Sequence, residues 1–442
     1  LTNPERAAEV AEEIGYPVVI KAVHGGGGKG IQVVEDGSDF IELFHRVTVE
    51  ARSAFGNGDV YLEKYVTSLR HIEAQLLRDA HGNTHVLGIR DCSVQRDKQK
   101  VIEESGSTAL PQHLLDTVLE STKNIANEVG YVGVGTVEFI YDLKSDAVYF
   151  MEMNTRLQVE HPVTEWTSGV DIVGEQFRIA SGESLADLEI HHEGYAIEAR
   201  INAERIEVIG NGELGFRPHP GQVIECEFPA DTGVEIITTV GPGKFVSPYY
   251  DSMVAQVVVH AESREAAIEK LFEYLGRVVI TGISTNVLLL RRILRDEVFH
   301  KGVYDTDYLP KLLTRIDTDE LIADIEASAG DSGESIDRDA IKIDESDELK
   351  VLAPATAIFY STASPSEPEY VTVGDTIDID ANLCQLEAMK IFSPLRLADF
   401  NGGEELYEGS AQYVVTRVNM SNGQQVNTGD LLFVVKPAPA HD

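Results

Sequence analysis

Residues 15–35, GYPVVIKAVHGGGGKGIQVVE, decide the first reading of the fold. YPVVIKAV (16–23) is a β-branched run with the character of a buried strand, and IQVVE (31–35) is a second. Between them stand four consecutive glycines, Gly25, Gly26, Gly27 and Gly28. A dinucleotide-binding unit follows its glycines with a helix; here a strand follows, so the segment reads as a hairpin closed by glycines. Each glycine costs folding entropy. Their use is close backbone approach, with N–H groups aimed at phosphate oxygens, and Lys21 and Lys29 bring charge to the same place.

Working outward, Pro4 opens a helix that Gly15 stops, and 39–55 has helical spacing. Strands are predicted at 60–66, 70–79 and 84–94, with a turn at 80–83. A helix over 111–130 precedes two strands, GVGTVEFIYD (133–142) and AVYFMEMNT (147–155). Helices follow at 170–182, 263–275 and 285–296, with short Gly- and Pro-punctuated strands up to about 260. From 314 to 348 the chain is rich in Asp, Glu, Ser and Gly, which reads as a solvated linker with a helical patch at 318–327. From 350 onward only short strands are predicted. Residues 370–387 and 418–435 share an apolar–x–x–Gly–polar–x–apolar core, so this segment reads as a pseudo-symmetric β-sandwich with Glu387, Ala388, Met389 and Lys390 at the turn between its halves.

The 442 residues suffice for two to four domains. With 36 basic against 74 acidic residues the net charge is −38, which argues against nucleic acid and anionic membrane as partners. No apolar run nears the roughly 20 residues of a membrane span. Cys92, Cys226 and Cys384 are far apart and odd in number, so they read as reduced thiols of a cytoplasmic protein. The chain opens with Leu and a polar, acidic stretch, and its true N-terminus is expected to lie further upstream.

Three more segments carry chemistry. Glu138 lies inside the apolar TVEFIY and Glu152 between two methionines, with Asn154 two residues on. Carboxylates at inward strand positions are costly unless paired or metal-bound, and this pair suits Mg²⁺ bridging nucleotide phosphates. NTRLQVEHPVTE (154–165) reads as one loop offering Arg156, Gln158, Glu160 and His161. Arg156 there has the fork to grip a small planar anion, and Glu160 stands beside it as a base. DCSVQRDKQK (91–100) gathers Gln95, Arg96, Lys98 and Lys100, and its sign opposes that of the whole chain, as an anion site requires.

Taken together these residues resemble biotin carboxylase fused to a biotin carboxyl carrier domain. Residues 1 to about 312 carry GGGGKG, YLEKYV, RHIEAQ, RDCSVQR, MEMNTRLQVEHPVTE, EARINAE and PYYDSM; EAMK at 387–390 resembles the carrier's biotinylation site. The resemblance implies an α+β chain. An ATP-grasp small lobe would span 1–66 and a large lobe 67–190. A carboxylase C-terminal α+β domain would span 191–312, an acidic linker 313–349, and an all-β biotinyl/lipoyl-like barrel-sandwich 350–437. It implies that Lys21, the glycine loop, Glu63, Lys64, His71 and Gln95 contact ATP, and that Glu138 and Glu152 bind Mg²⁺ or Mn²⁺ with Asn154 close by. It makes Lys100, Arg156, Gln158 and the Val159 backbone a bicarbonate clamp, Glu160 the general base, Arg200 the holder of the biotin ureido oxygen, and Lys390 the biotin-bearing lysine.

The implied reaction activates bicarbonate with ATP through carboxyphosphate and transfers the carboxyl group to biotin. A carboxyltransferase subunit would then pass it to an acyl-CoA, acetyl or propionyl. A biotin protein ligase would load Lys390, and the family often dimerises through the region around 195–312. Pyruvate carboxylase fits less well, since its carboxyltransferase would sit between the two parts. Two departures stand out. Family members begin with a further domain that contributes to the site, and this chain starts after it, so weak activity is expected of it alone. Where the family has Arg-His-Gln-Lys, this chain has Asp97, Lys98, Gln99 and Lys100. Two other readings compete. One is a different ATP-grasp ligase with a fused lipoyl-like domain, disfavoured by Ala-Met before the lysine; the other is a non-catalytic carrier scaffold, disfavoured by the intact 151–165 run.

Overall fold

A computed structural model describes residues 3–26, 29–96, 98–208, 214–328, 341–343, 348–363, 367–400 and 412–438. Gly27, Gly28 and much of the acidic segment therefore lie outside the described residues. The chain divides into two compact units, 1–71 with 139–151, and 72–138 with 152–442.

In the first unit the predicted hairpin is antiparallel, as its glycines and lack of a following helix required. Strand Val18–Gly26 lies between Lys29–Val34 and Val60–Lys64, with Ile20 opposite Gln32 on one side and Leu62 on the other. Helix Pro4–Ile14 starts where the Asn3 side chain accepts the Arg6 N–H and stops at Gly15, whose φ of +82° suits glycine. Helix Phe40–Phe55 buries Phe40, Phe44 and Val47 with Ala7, Ala11, Val18 and Ile20 in one core.

A larger sheet runs, in order, Val234–Thr238, Met253–Ala261, Tyr195–Asn202, Gln99–Ser105, Thr84–Arg96, Leu69–Arg78, Gly133–Asp142 and Ala147–Asn154. Alternation along Tyr195–Asn202 sorts its two faces. Ile197, Ala199 and Ile201 join a core with Ile268, Leu271 and Leu290 of helices Arg264–Leu275 and Val287–Arg295. The opposite set, Ala196, Glu198 and Arg200, shares its side of the sheet with helix His161–Ser168, whose Val163 packs on Ala196 and Val258. Two elements depart from the sequence reading. Gln99–Ser105, read only as part of a basic run, is a buried strand, and His161–Ser168, read as loop, is a helix.

The helical patch is present as Thr318–Ser328 and is less solvated than expected: Leu321 is fully buried, and Arg292 reaches Asp324 at 2.5 Å and Glu320 at 3.2 Å. Beyond it two sheets enclose a separate core that includes Phe359, Leu386, Tyr413 and Phe433. One sheet runs Ile341–Ile343, Leu349–Leu352, Leu431–Pro437, Gln412–Val418, Thr376–Asp378; the other runs Ile391–Leu395, Cys384–Ala388, Ala357–Tyr360, Gln424–Val426. Met389 and Lys390 form a two-residue turn at the tip of one hairpin, both with positive φ (51° and 63°).

Candidate functional site

The face of the larger sheet shared with helix His161–Ser168 carries a chain of alternating charges. Arg90, fully buried, donates to Glu73 Oε1 (2.5 Å), Gln75 Oε1 (2.8 Å), Thr164 Oγ1 (2.8 Å), Gln158 Oε1 (3.2 Å) and Thr136 Oγ1 (3.4 Å). Glu73 then accepts from Lys100 Nζ at 2.7 Å, and Lys100 also donates to Glu160. The second oxygen of Glu160 takes Arg200 Nη2 at 2.9 Å, and Arg200 Nε reaches Glu103 Oε1 at 2.6 Å. The predicted Lys100, Glu160 and Arg200, drawn from three separate sequence segments, thus meet on one carboxylate. Burial alone lowers the pKa of Lys100, but Cys92, Glu73, Glu160 and Glu138 outweigh it and hold the ammonium above its ordinary range.

Beside this chain Glu138 Oε1 accepts from Asn154 Nδ2 and Gln158 Nε2, each at 2.8 Å, and Asn154 reaches Glu152 Oε1 at 3.2 Å. Glu138 is buried as read, whereas Glu152, read as inward-facing, is exposed on the last strand of the sheet. Two carboxylates and an amide oxygen on adjacent strands are the hard-oxygen donor set that Mg²⁺ or Mn²⁺ takes. Arg156 is exposed and donates to the carbonyl of its own neighbour, Leu157 O, at 3.3 Å. Gln95 donates to Cys92 O at 2.7 Å.

The other predicted nucleotide contacts belong to the first unit. Lys21 pairs with Glu63, and Gly25 and Gly26 end the strand leading into the glycine loop. Lys64 donates to Gly15 O (2.6 Å) and Tyr16 O (2.9 Å), where it holds the carbonyls at the end of the first helix. His71 lies in strand Leu69–Arg78 and is half-buried.

Sequence reasoning missed Arg90, Glu73, Glu103, Glu198 and Gln256. Glu103 and Glu198 are directly opposed on neighbouring strands, both fully buried, and each keeps one carboxyl oxygen without a partner among the described residues. A single proton shared by the pair gives both oxygens a partner. Burial drives Glu103 up to about 7 against the pull of Arg200, and burial together with Glu103 raises Glu198 well above the usual carboxylate range. The sign follows from proton counts. The folded chain keeps a proton that the unfolded chain releases above about pH 4.5, so this pair makes stability fall as pH rises from there through 7. Glu198→Gln is neutral at every pH, still accepts from Gln256, and offers an N–H to Glu103. It is expected to raise stability by about 2 kcal/mol at pH 8 and to change it little at pH 4.5, measured by urea unfolding; equal effects at both pH values would exclude a shared proton.

Comparison with known proteins bears on the same residues. Residues 1–188 match the family model described as carbamoyl-phosphate synthase L chain, ATP binding domain, and 198–311 match the biotin carboxylase C-terminal domain. Biotin carboxylase 1 of Bacillus subtilis is 45% identical over 311 residues, covering 70% of this chain and 68% of that protein. The chloroplastic biotin carboxylase 1 of Populus trichocarpa is 44% identical over 313 residues, of which the chain spans 58% of that protein's length. Among solved structures, a Campylobacter jejuni biotin carboxylase–β-γ-ATP complex aligns with a TM-score of 0.66 at 40% identity, covering 70% of this chain and 68% of that one. The biotin carboxylase domain dimer of Hydrogenobacter thermophilus 2-oxoglutarate carboxylase, in complex with MgADP, ADP and bicarbonate, aligns with a TM-score of 0.64 at 40% identity and the same coverage.

Proposed function

The chain belongs to the biotin carboxylase family, and from that premise we propose that it carboxylates biotin carried on its own Lys390, using ATP and bicarbonate. The observation that carries this reading is the placement of Glu160, gripped from both sides by Lys100 and Arg200. A carboxylate held between two cations has a fixed orientation, and an incoming bicarbonate would be drawn to the same cations. Glu160 would take the proton of bicarbonate as a bicarbonate oxygen bonds to the terminal phosphorus of ATP and the bond to the bridging oxygen breaks, giving carboxyphosphate and ADP. Arg156 and Gln158 would orient the anion. Arg200 would hold negative charge on the ureido oxygen while the carboxyl group is transferred. A divalent cation held by Glu138 and Glu152 would neutralise charge on the nucleotide phosphates. Biotin would supply the nitrogen that accepts the carboxyl group.

Lys390 suits the carrier role through its position. It is exposed, at the tip of a two-residue turn, on a domain with its own core. The same reading brings a biotin protein ligase to load that lysine, a carboxyltransferase subunit to receive the carboxyl group for an acetyl or propionyl acyl-CoA, a second copy of the chain as dimer partner, and the cytoplasm as its location. No helix among the described residues is long and apolar enough to cross a membrane. Expression with a biotin protein ligase is expected to add the mass of one biotin to the intact chain and none to Lys390→Arg. A wild-type chain that folds yet gains no mass would remove Lys390 from the reaction.

A further inference from the structure

Met389, the neighbour of Lys390, does not belong to the core of its own domain. It is 1% exposed and is buried with the apolar cluster that includes Val223, Val246 and Ile283 of the preceding domain. Its backbone N–H donates to Pro248 O at 2.6 Å. Nearby, Asp399 of the β-sandwich meets Arg217 at 3.4 Å. Between the two domains a cavity of about 400 Å³ is walled by Arg205, Pro218 and His219 on one side and by Ala353, Thr356 and Gly429 on the other. Lys390 itself stays exposed.

The residue type is unexpected for its place. Both turn residues have positive φ, where Asn, Asp or Gly is the favoured choice and methionine is locally disfavoured. Left in water, Met389 would be a bare apolar side chain on a loop tip. Seated, it is covered, and its N–H, which a two-residue turn leaves without a cross-strand partner, acquires one. The seat also has a useful address. Pro248 lies five residues before Met253, which pairs with Asn202, two residues beyond Arg200 on the same strand.

We propose that the surface around Val246, Pro248 and Arg217 is a reversible docking seat for the carrier tip, with Met389 as its key. The proposal rests on the reading of Lys390 as the biotin-bearing lysine. The seat recognises one apolar side chain, one backbone N–H and one acidic group, and it leaves the modified lysine outside. So few contacts make an interface that opens and closes, as interfaces between domains of one chain commonly do.

Amide hydrogen exchange on the full chain reads the seat directly. The Met389 amide is expected to exchange at least a hundredfold more slowly than an unprotected amide of the same sequence. Met389→Asn suits the turn and lacks the key, so it should keep the hairpin and lose that protection. Asp399→Asn keeps the side-chain oxygen that accepts the Arg396 N–H and loses the charge facing Arg217, and should speed exchange about threefold. Unchanged protection of the core-strand amides of Cys384–Ala388 and Leu431–Pro437 in both variants reports that the domain remains folded. A wild-type Met389 amide that exchanges at the unprotected rate, or protection retained in Met389→Asn, would overturn the seat. Failure of the wild type to take up biotin, with protection intact, would instead overturn the carrier reading.

Discussion

Glu160→Gln is expected to lower bicarbonate-dependent ATP cleavage in the presence of free biotin by about 10²- to 10⁴-fold, the range that removal of a general base produces. The amide is the same shape and still accepts a hydrogen bond from Lys100 or Arg200, so the fold and the nucleotide site persist. What it lacks is a lone pair basic enough to take a proton. It also lacks the negative charge that fixes both cations, so the KM for bicarbonate shifts as well, while the affinity for the magnesium nucleotide stays within about threefold. A fall of less than tenfold would show that another group receives the proton, and the oxygen of Glu160 would then be only an anchor for Lys100 and Arg200.

The second large effect is on stability. Arg90→Met is expected to cost about 3–5 kcal/mol, the usual penalty for breaking a buried ion pair by removing one partner. Arg90 serves five acceptors, all on buried side chains. Glu73 keeps Lys100 but loses its bidentate-capable partner on the other side. At the size of this unit such a loss lowers the thermal midpoint by roughly 5 °C. Arg90→Lys retains the charge but reaches fewer acceptors, and should fall between the two. A shift of under 1 kcal/mol in Arg90→Met would mean that the acceptors re-pair among themselves or with water.

Different physical signals explain what was readable in the sequence and what was not. The glycine hairpin was legible because β-branched runs and four glycines each impose a local conformation. Glu138 was legible because a lone charge in TVEFIY contradicts its surroundings. Glu103 in VIEES and Glu198 in AIEAR give the same contradiction, but a single opposed carboxylate is visible only once the register between two distant strands is known. Strand Gln99–Ser105 escaped notice because both of its faces are buried and both carry charge, Glu103 beside Arg200 on one and Glu104 beside Arg264 on the other, which erases the alternation that marks a half-exposed strand. Helix His161–Ser168 escaped because its eight residues open with His-Pro and are too few for a clear helical period. Arg90 gives no local signal in the sequence; only the convergence of Glu73 and Gln75 from one strand, Thr136 from another, Gln158 from a loop and Thr164 from a helix reveals it as a hub. The exposed position of Glu152 was not legible either, because its strand reads the same whether it is central or last in the sheet.

The tie between Arg292 and helix Thr318–Ser328 limits how far the β-sandwich can travel. That helix is fastened at one end, and Ile341–Ile343 is zipped to Leu349–Leu352 at the other. Only residues 329–340, twelve of them, lie between the two fixed points. Thirteen residue steps separate Ser328 from Ile341, and fully stretched they span at most about 47 Å. The leash is therefore short: any receiving site that Lys390 visits must come within that radius plus the dimensions of the sandwich itself, unless one of the two fastenings lets go.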